Sequence, residues 1–160
     1  MARTDRLGAT EEAFCRDLMR IVLWLPQRLD ADLMRTAGLT VGQYATLMYL
    51  SEAPDREMRI AELAKSTALS ASRMSRLVDD LQKRGLLTKR ASSDDGRGNV
   101  AKLTRGGAAK LRLARPAHSA SIRQRLFDHM NSSTVAQAAH AFSEIAGILR
   151  QNPVNASAKV

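Results

Sequence analysis

The residues best suited to chemistry in this sequence lie between Ser70 and Arg97. Ser72, Arg73, Ser75 and Arg76 alternate short hydroxyls with guanidinium groups, and Arg90, Asp95 and Arg97 follow within about two dozen residues. Arginine forks match the acceptors of guanine and of phosphate, and small hydroxyl residues let a backbone approach its partner closely. Ser70, opening this run, offers its hydroxyl and neighbouring backbone N–H groups to a phosphate. These residues are the expected contacts to double-stranded DNA.

Other reactive groups are sparse. Cys15 is the single cysteine, so no disulfide can form within the chain. A thiol near Arg16 and Arg20 defines an alternative reading, a redox-sensing regulator, although a buried inert thiol is the commoner case. His118, His129 and His140 recur every eleven residues. On an unbroken helix the first two would stand roughly 16 Å apart, too far to share a metal, and no Cys/Asp/Glu cluster completes a site. No nucleophile elbow, phosphate loop or metalloprotease motif occurs, so no enzyme is expected, and no cofactor or metal.

Charge supports a polyanion partner. The net charge of +9 is concentrated: residues 1–58 carry −2, residues 59–112 carry +8 and residues 113–160 carry +3. A localised basic excess is the electrostatic footprint of nucleic acid. The polar stretch from Met1 to Thr10 lacks a signal-like apolar segment, and no apolar run approaches membrane-spanning length. The expected location is the cytoplasm, with no membrane partner.

The elements that must position these groups are legible from periodicity. Helical spacing runs from Thr10 to about Met34 through Phe14, Leu18, Ile21, Val22, Leu25, Leu29 and Leu33, with Thr10 as cap, a kink at Pro26 and a stop at Gly38. A second helix follows Thr40 to about Glu52, and a short third covers Ile60 to Ser66. After the link Thr67–Leu69, Ser70 caps a fourth helix, Ala71 to Arg84. It buries Met74, Leu77, Val78 and Leu81, and Gly85 ends it. Two strands, Leu86–Arg90 and Val100–Leu103, flank a hairpin tip at Ala91–Asn99 rich in Ser, Asp and Gly. Arg97, between two glycines at that tip, suits a narrow minor groove. One of Asp94 and Asp95 is expected to pair with Arg97 or with Arg90. Thr104 caps a helix to about Met130, with a break at Pro116. Asn131–Ser133 is a turn, and Ser133 caps a last helix. Lys83 and Arg84 read as phosphate contacts or solvent charges.

The fold class is mainly α with a small β-hairpin wing: a winged helix-turn-helix with N- and C-terminal dimerisation helices. The expected organisation is a dimerisation helix over 1–40, a DNA-binding domain over 41–104, dimerisation helices over 105–152 and a disordered tail over 153–160. Both terminal regions carry more apolar surface than a small winged-helix core can cover, which points to a homodimer.

The chain resembles the MarR family of bacterial regulators. Ile60-Ala61-Glu62-Leu63-Ala64, then Ser75-Arg76-Leu77-Val78-Asp79-Asp80-Leu81 with Gly85-Leu86, then Asp95-Gly96-Arg97 with Leu103-Thr104 and Gly106-Gly107 carry the likeness over about residues 58–110. The resemblance implies a homodimer presenting two winged helices to a palindrome. It also implies repression of transcription, relieved when a small-molecule effector acts near the junction of dimer helices and winged helix. Cys15 lies near where peroxide-sensing members carry their reactive cysteine, but the tyrosines that engage it there are replaced by Met19 and Leu29. A third reading is a winged-helix module that binds RNA or protein.

Overall fold

The computed structural model describes residues 6–91 and 98–151. The chain divides into two compact units, Met1–Ser121 and Ile122–Val160. In the first unit, α1 (Ala9–Ala37), α2 (Val41–Glu52), a 3-10 turn (Pro54–Arg56), β1 (Glu57–Arg59), α3 (Ile60–Ser66) and α4 (Ala71–Lys83) precede β2 (Leu87–Ala91), β3 (Asn99–Leu103) and most of α5 (Arg105–Arg125). The second unit holds the end of α5, a 3-10 turn (Phe127–His129) and α6 (Ser132–Gln151).

The three strands form one antiparallel sheet in the order β1-β3-β2. Leu87 faces Leu103 and Arg90 faces Val100 across β2 and β3, while Arg59 faces Val100 across β1 and β3. The hairpin is therefore present, but β1 adds a third strand that the sequence analysis missed. Three residues are too short for an alternation signal, and the ladder partner of β1 lies some forty residues away in the chain.

The core of the first unit is aliphatic. Leu33, Leu39, Leu47, Leu50, Leu63, Met74, Val78, Leu81 and Leu87 are almost wholly inaccessible. Each such side chain contributes about 1.5–3 kcal/mol by leaving water. Among the described residues no buried side-chain nitrogen or oxygen lacks a hydrogen-bond partner. The buried Thr46, for example, donates to the carbonyl of Gly42 at 2.8 Å.

The helix boundaries follow local chemistry, with three revisions. Helix α1 starts at Ala9, where the Glu11 carboxylate accepts from the Gly8 N–H at 2.7 Å, so Thr10 is not the cap. It runs through Pro26 to Gly38, which takes the left-handed conformation (φ 58°) expected of a stop. Helix α5 passes Pro116 without a break and ends at Arg125 rather than near Met130, so His129 leaves the helix. Helix α6 is capped by Asn131, whose side-chain oxygen accepts from the Thr134 N–H at 2.8 Å, and not by Ser133. The Thr104 cap is as expected: its Oγ1 accepts from Gly107 N–H at 3.0 Å.

Of the long apolar stripe on α1, only Leu29, Leu33 and Ala37 are buried within the chain. Phe14, Ile21, Val22 and Trp24 are exposed, as are Phe142, Ile145, Ile148 and Leu149 of α6. No described helix is long and apolar enough to cross a membrane.

Candidate nucleic-acid interface

Helix α4 is placed by its two ends. At the front, the α3–α4 turn closes when Leu69 N–H donates to Ala64 C=O at 3.0 Å and Thr67 N–H to Leu63 C=O at 3.0 Å. Ala68 holds φ 53° in this turn, an unusual setting for a residue with a Cβ. Ser70 then caps α4, its Oγ accepting from Arg73 N–H at 3.3 Å and lying 3.3 Å from Ser72 Oγ. At the back, Gly85 takes φ 68° and turns the chain into β2.

Between these ends the helix is sharply two-sided. Met74, Val78 and Leu81 are buried and Leu77 is half-buried, while Ser72, Arg73 and Arg76 are exposed and Ser75 is half-buried. The Arg76 side chain lies back along the helix, with Nε 3.5 Å from Ser72 C=O. Neither Arg73 nor Arg76 makes an ion pair among the described residues.

The two acids of α4 are occupied by the chain itself. Lys89 Nζ of β2 lies 2.8 Å from Asp79 Oδ1. Asp80 Oδ2 accepts from Gln43 Nε2 at 2.8 Å and sits 3.7 Å from Arg84. Arg84 also donates to the Gly38 carbonyl at 2.8 Å and to Gln43 Oε1 at 3.3 Å. It thus ties α4 to the end of α1 and the start of α2 rather than standing as a free solvent charge. With both carboxylates engaged, the exposed front of α4 is left cationic and rich in hydroxyls.

Arg90 pairs with Glu57 of β1, across β3, and Lys102 of β3 stands 3.8 Å from the other Glu57 oxygen. Asp94, Asp95, Gly96 and Arg97 lie outside the described residues, so the expected wing-tip arrangement does too. Ser70, Ser72, Arg73, Ser75 and Arg76 are brought together on one helix, and Arg90 stands apart from them on β2.

A cleft of about 840 Å³ opens beside this helix. Pro26 and Asp30 of α1, Thr40 to Gln43 at the start of α2, and Leu69, Ser70, Arg73, Arg76 and Leu77 line it. Asp30 also accepts from the Val41 N–H at 2.5 Å, fastening α1 to the start of α2. No periodicity or motif in the sequence signals this cleft, because its walls come from segments up to about fifty residues apart.

Cys15 is exposed on α1. Among the described residues no group of three or more His, Cys, Asp or Glu side chains is arranged to hold a metal. His118 has a different setting: its ring stacks on Tyr44, with centroids 4.1 Å apart and planes 20° from parallel. Burial lowers the His118 pKa below its usual value. Burial raises that of Tyr44, with Arg115 pulling it down and Glu52 pushing it up to lesser extents.

Comparison with known proteins bears on the whole chain. Residues 37–98 match the sequence model of the MarR family. The crystal structure of Sco3205, a MarR family transcriptional regulator from Streptomyces coelicolor in complex with DNA, is 31% identical, with 98% of both chains covered and a TM-score of 0.85. The chain belongs to the MarR family. A second MarR family regulator from the same organism, AbsC, is 30% identical over 92% of this chain and 99% of its own, with a TM-score of 0.81. The HTH-type transcriptional repressor YetL of Bacillus subtilis is 32% identical over 85 residues, which is 53% of this chain and about half (51%) of that relative. The MarR family comprises transcriptional regulators, not enzymes, and the winged helix seen here is that of its solved members.

Proposed function

We propose that this MarR-family protein is a homodimeric repressor that binds a palindromic site on double-stranded DNA and is released by a small-molecule effector. The observation that carries this reading is the front of α4: exposed Ser72, Arg73 and Arg76 on a helix whose opposite side is locked into the core and whose own acids are already paired. A B-DNA major groove accepts one α-helix, so these side chains reach base edges while Ser70 and the helix N-terminus address phosphate. Arg90, Asp95 and Arg97 are proposed to complete the contact from the wing. The DNA-bound state of Sco3205 and the name of YetL favour the same reading.

The exposed apolar side chains of α1 and α6 favour a symmetric pair of chains, with residues 1–40 and 105–152 as the dimerisation segments and 41–104 as the DNA-binding domain. The cleft beside α4 is the proposed effector site. Its volume suits a small organic ligand, and an occupant there touches Arg73 and Arg76, the same side chains offered to DNA.

Selection of bound sites from random duplexes tests the proposal. The expected product is a palindrome bound by a dimer, with Arg76→Ala costing about 1–3 kcal/mol of binding and relaxing one base position. A chain that stays monomeric and selects no sequence overturns it.

A further inference from the structure

A second cleft, of about 280 Å³, lies in the first unit and shares no lining residue with the cleft beside α4. It forms where the end of α2, the 3-10 turn, the end of β3 and the early turns of α5 meet. Leu103, Ala108 and Leu111 give it an apolar floor, and Arg56, Arg112 and Arg115 stand around it. None of these three guanidinium groups has an ion pair or side-chain hydrogen bond among the described residues. Arg20, Arg35, Arg84 and Arg90 of the same unit, by contrast, each hold a carboxylate. Glu52 and Asp55 are near in sequence, yet neither lines the cleft.

Three like charges around one small concavity repel each other, and low-dielectric walls focus their field. That arrangement is relieved by an anion carrying more than one acceptor oxygen, because each planar guanidinium presents paired donors. The volume falls just below the range for drug-sized ligands and leaves room for a compact organic group. We propose that this cleft binds a small phosphate monoester, its phosphate held by Arg56, Arg112 and Arg115 and its organic part resting on Leu103, Ala108 and Leu111. The ligand bridges α5 to the turn that precedes β1. Because none of these residues belongs to the proposed DNA contact or effector cleft, the site stands or falls independently of that reading.

The probe is phenyl phosphate, titrated calorimetrically into the full-length protein at constant ionic strength. One saturable site per chain is expected, with inorganic phosphate competing more weakly because it leaves the floor uncovered. Arg112→Gln with Arg115→Gln should weaken binding at least about tenfold, whereas Arg20→Gln, on the exposed side of α1 and outside both clefts, should leave it unchanged. Should this double variant fail to fold by circular dichroism, Arg56→Gln alone and Arg112→Lys with Arg115→Lys replace it, with weakened and partly retained binding expected respectively. Absence of saturable binding, or binding indifferent to these changes, overturns the proposal. So does displacement of phenyl phosphate by random-sequence duplex with a matching DNA-binding loss in Arg112→Gln with Arg115→Gln, which would assign the arginines to the DNA backbone.

Discussion

Arg84, just beyond the last residue of α4, donates from Nη2 to the carbonyl of Gly38 at 2.8 Å, and Gly38 is the residue that ends α1. Its other nitrogen reaches Gln43 Oε1, which already accepts from the Thr40 N–H at 2.9 Å. One side chain thereby joins α4 to the end of α1 and the start of α2. Arg84→Ala is expected to lower unfolding free energy by about 1 kcal/mol, and urea denaturation of Arg84→Ala, Gln43→Ala and the pair should show non-additivity of about 0.5 kcal/mol or more. DNA affinity should fall with no change in its salt dependence, since no phosphate contact is removed. A salt slope reduced by about one would reassign Arg84 to the DNA surface.

Gly106 and Gly107 are neighbours with opposite tolerances. A Cβ on Gly107 would stand 1.9 Å from the Leu86 carbonyl oxygen and 2.7 Å from a Leu103 methyl, whereas one on Gly106 would meet nothing closer than 3.5 Å. Gly107→Ala is therefore expected to cost about 1–3 kcal/mol or more through displaced backbone. Gly106→Ala should be near neutral in the same thermal melt. Equal melting temperatures for the two variants would contradict the close approach of α5 to the start of β2.

Ala68 occupies the left-handed region in the helix-turn-helix link. Glycine removes the Cβ clash there, so Ala68→Gly should stabilise the fold by up to about 1 kcal/mol. A drop in melting temperature would show that the Ala68 methyl contributes packing that outweighs the strain.

The stacked pair of Tyr44 and His118 sets a pH dependence. Burial holds the His118 pKa below 6.5, so the unfolded chain takes up this proton before the folded one does. The associated stability is complete above pH 6.5 and is lost as the pH falls through the lowered value. His118→Phe should keep the stack and flatten this part of the stability–pH profile between neutrality and mild acid. An unchanged profile would mean that His118 is freely protonated in the folded chain.

Much of this architecture is written locally. Ser70 and Gly85 delimit α4 because a hydroxyl satisfies an N-terminal N–H and a glycine accepts positive φ, and both signals lie within a few residues of their effect. The buried stripe Met74–Leu81 and the exposed Ser72, Arg73 and Arg76 follow from helical spacing alone. What escaped was non-local. Strand β1 exists only because β3 pairs with it, Arg90 meets Glu57 only through the sheet, and His118 finds Tyr44 across 74 positions of chain. Arg84 is the sharpest case: its type and position read as a phosphate contact or a solvent charge, while its partners come from the ends of two other helices. The α6 cap was missed more simply, because Asn131 and Ser133 are both good caps and spacing does not choose between them.

Asp55 and Arg56 sit side by side at φ 52° and 56°, a conformation that costs an L-residue roughly 1–2 kcal/mol and glycine almost nothing. A chain shaped for robustness alone would place glycine at 56. Arg56→Gly should therefore yield a hardier protein that has surrendered one of the three cations around the smaller cleft, so heat tolerance and anion capture pull this turn in opposite directions.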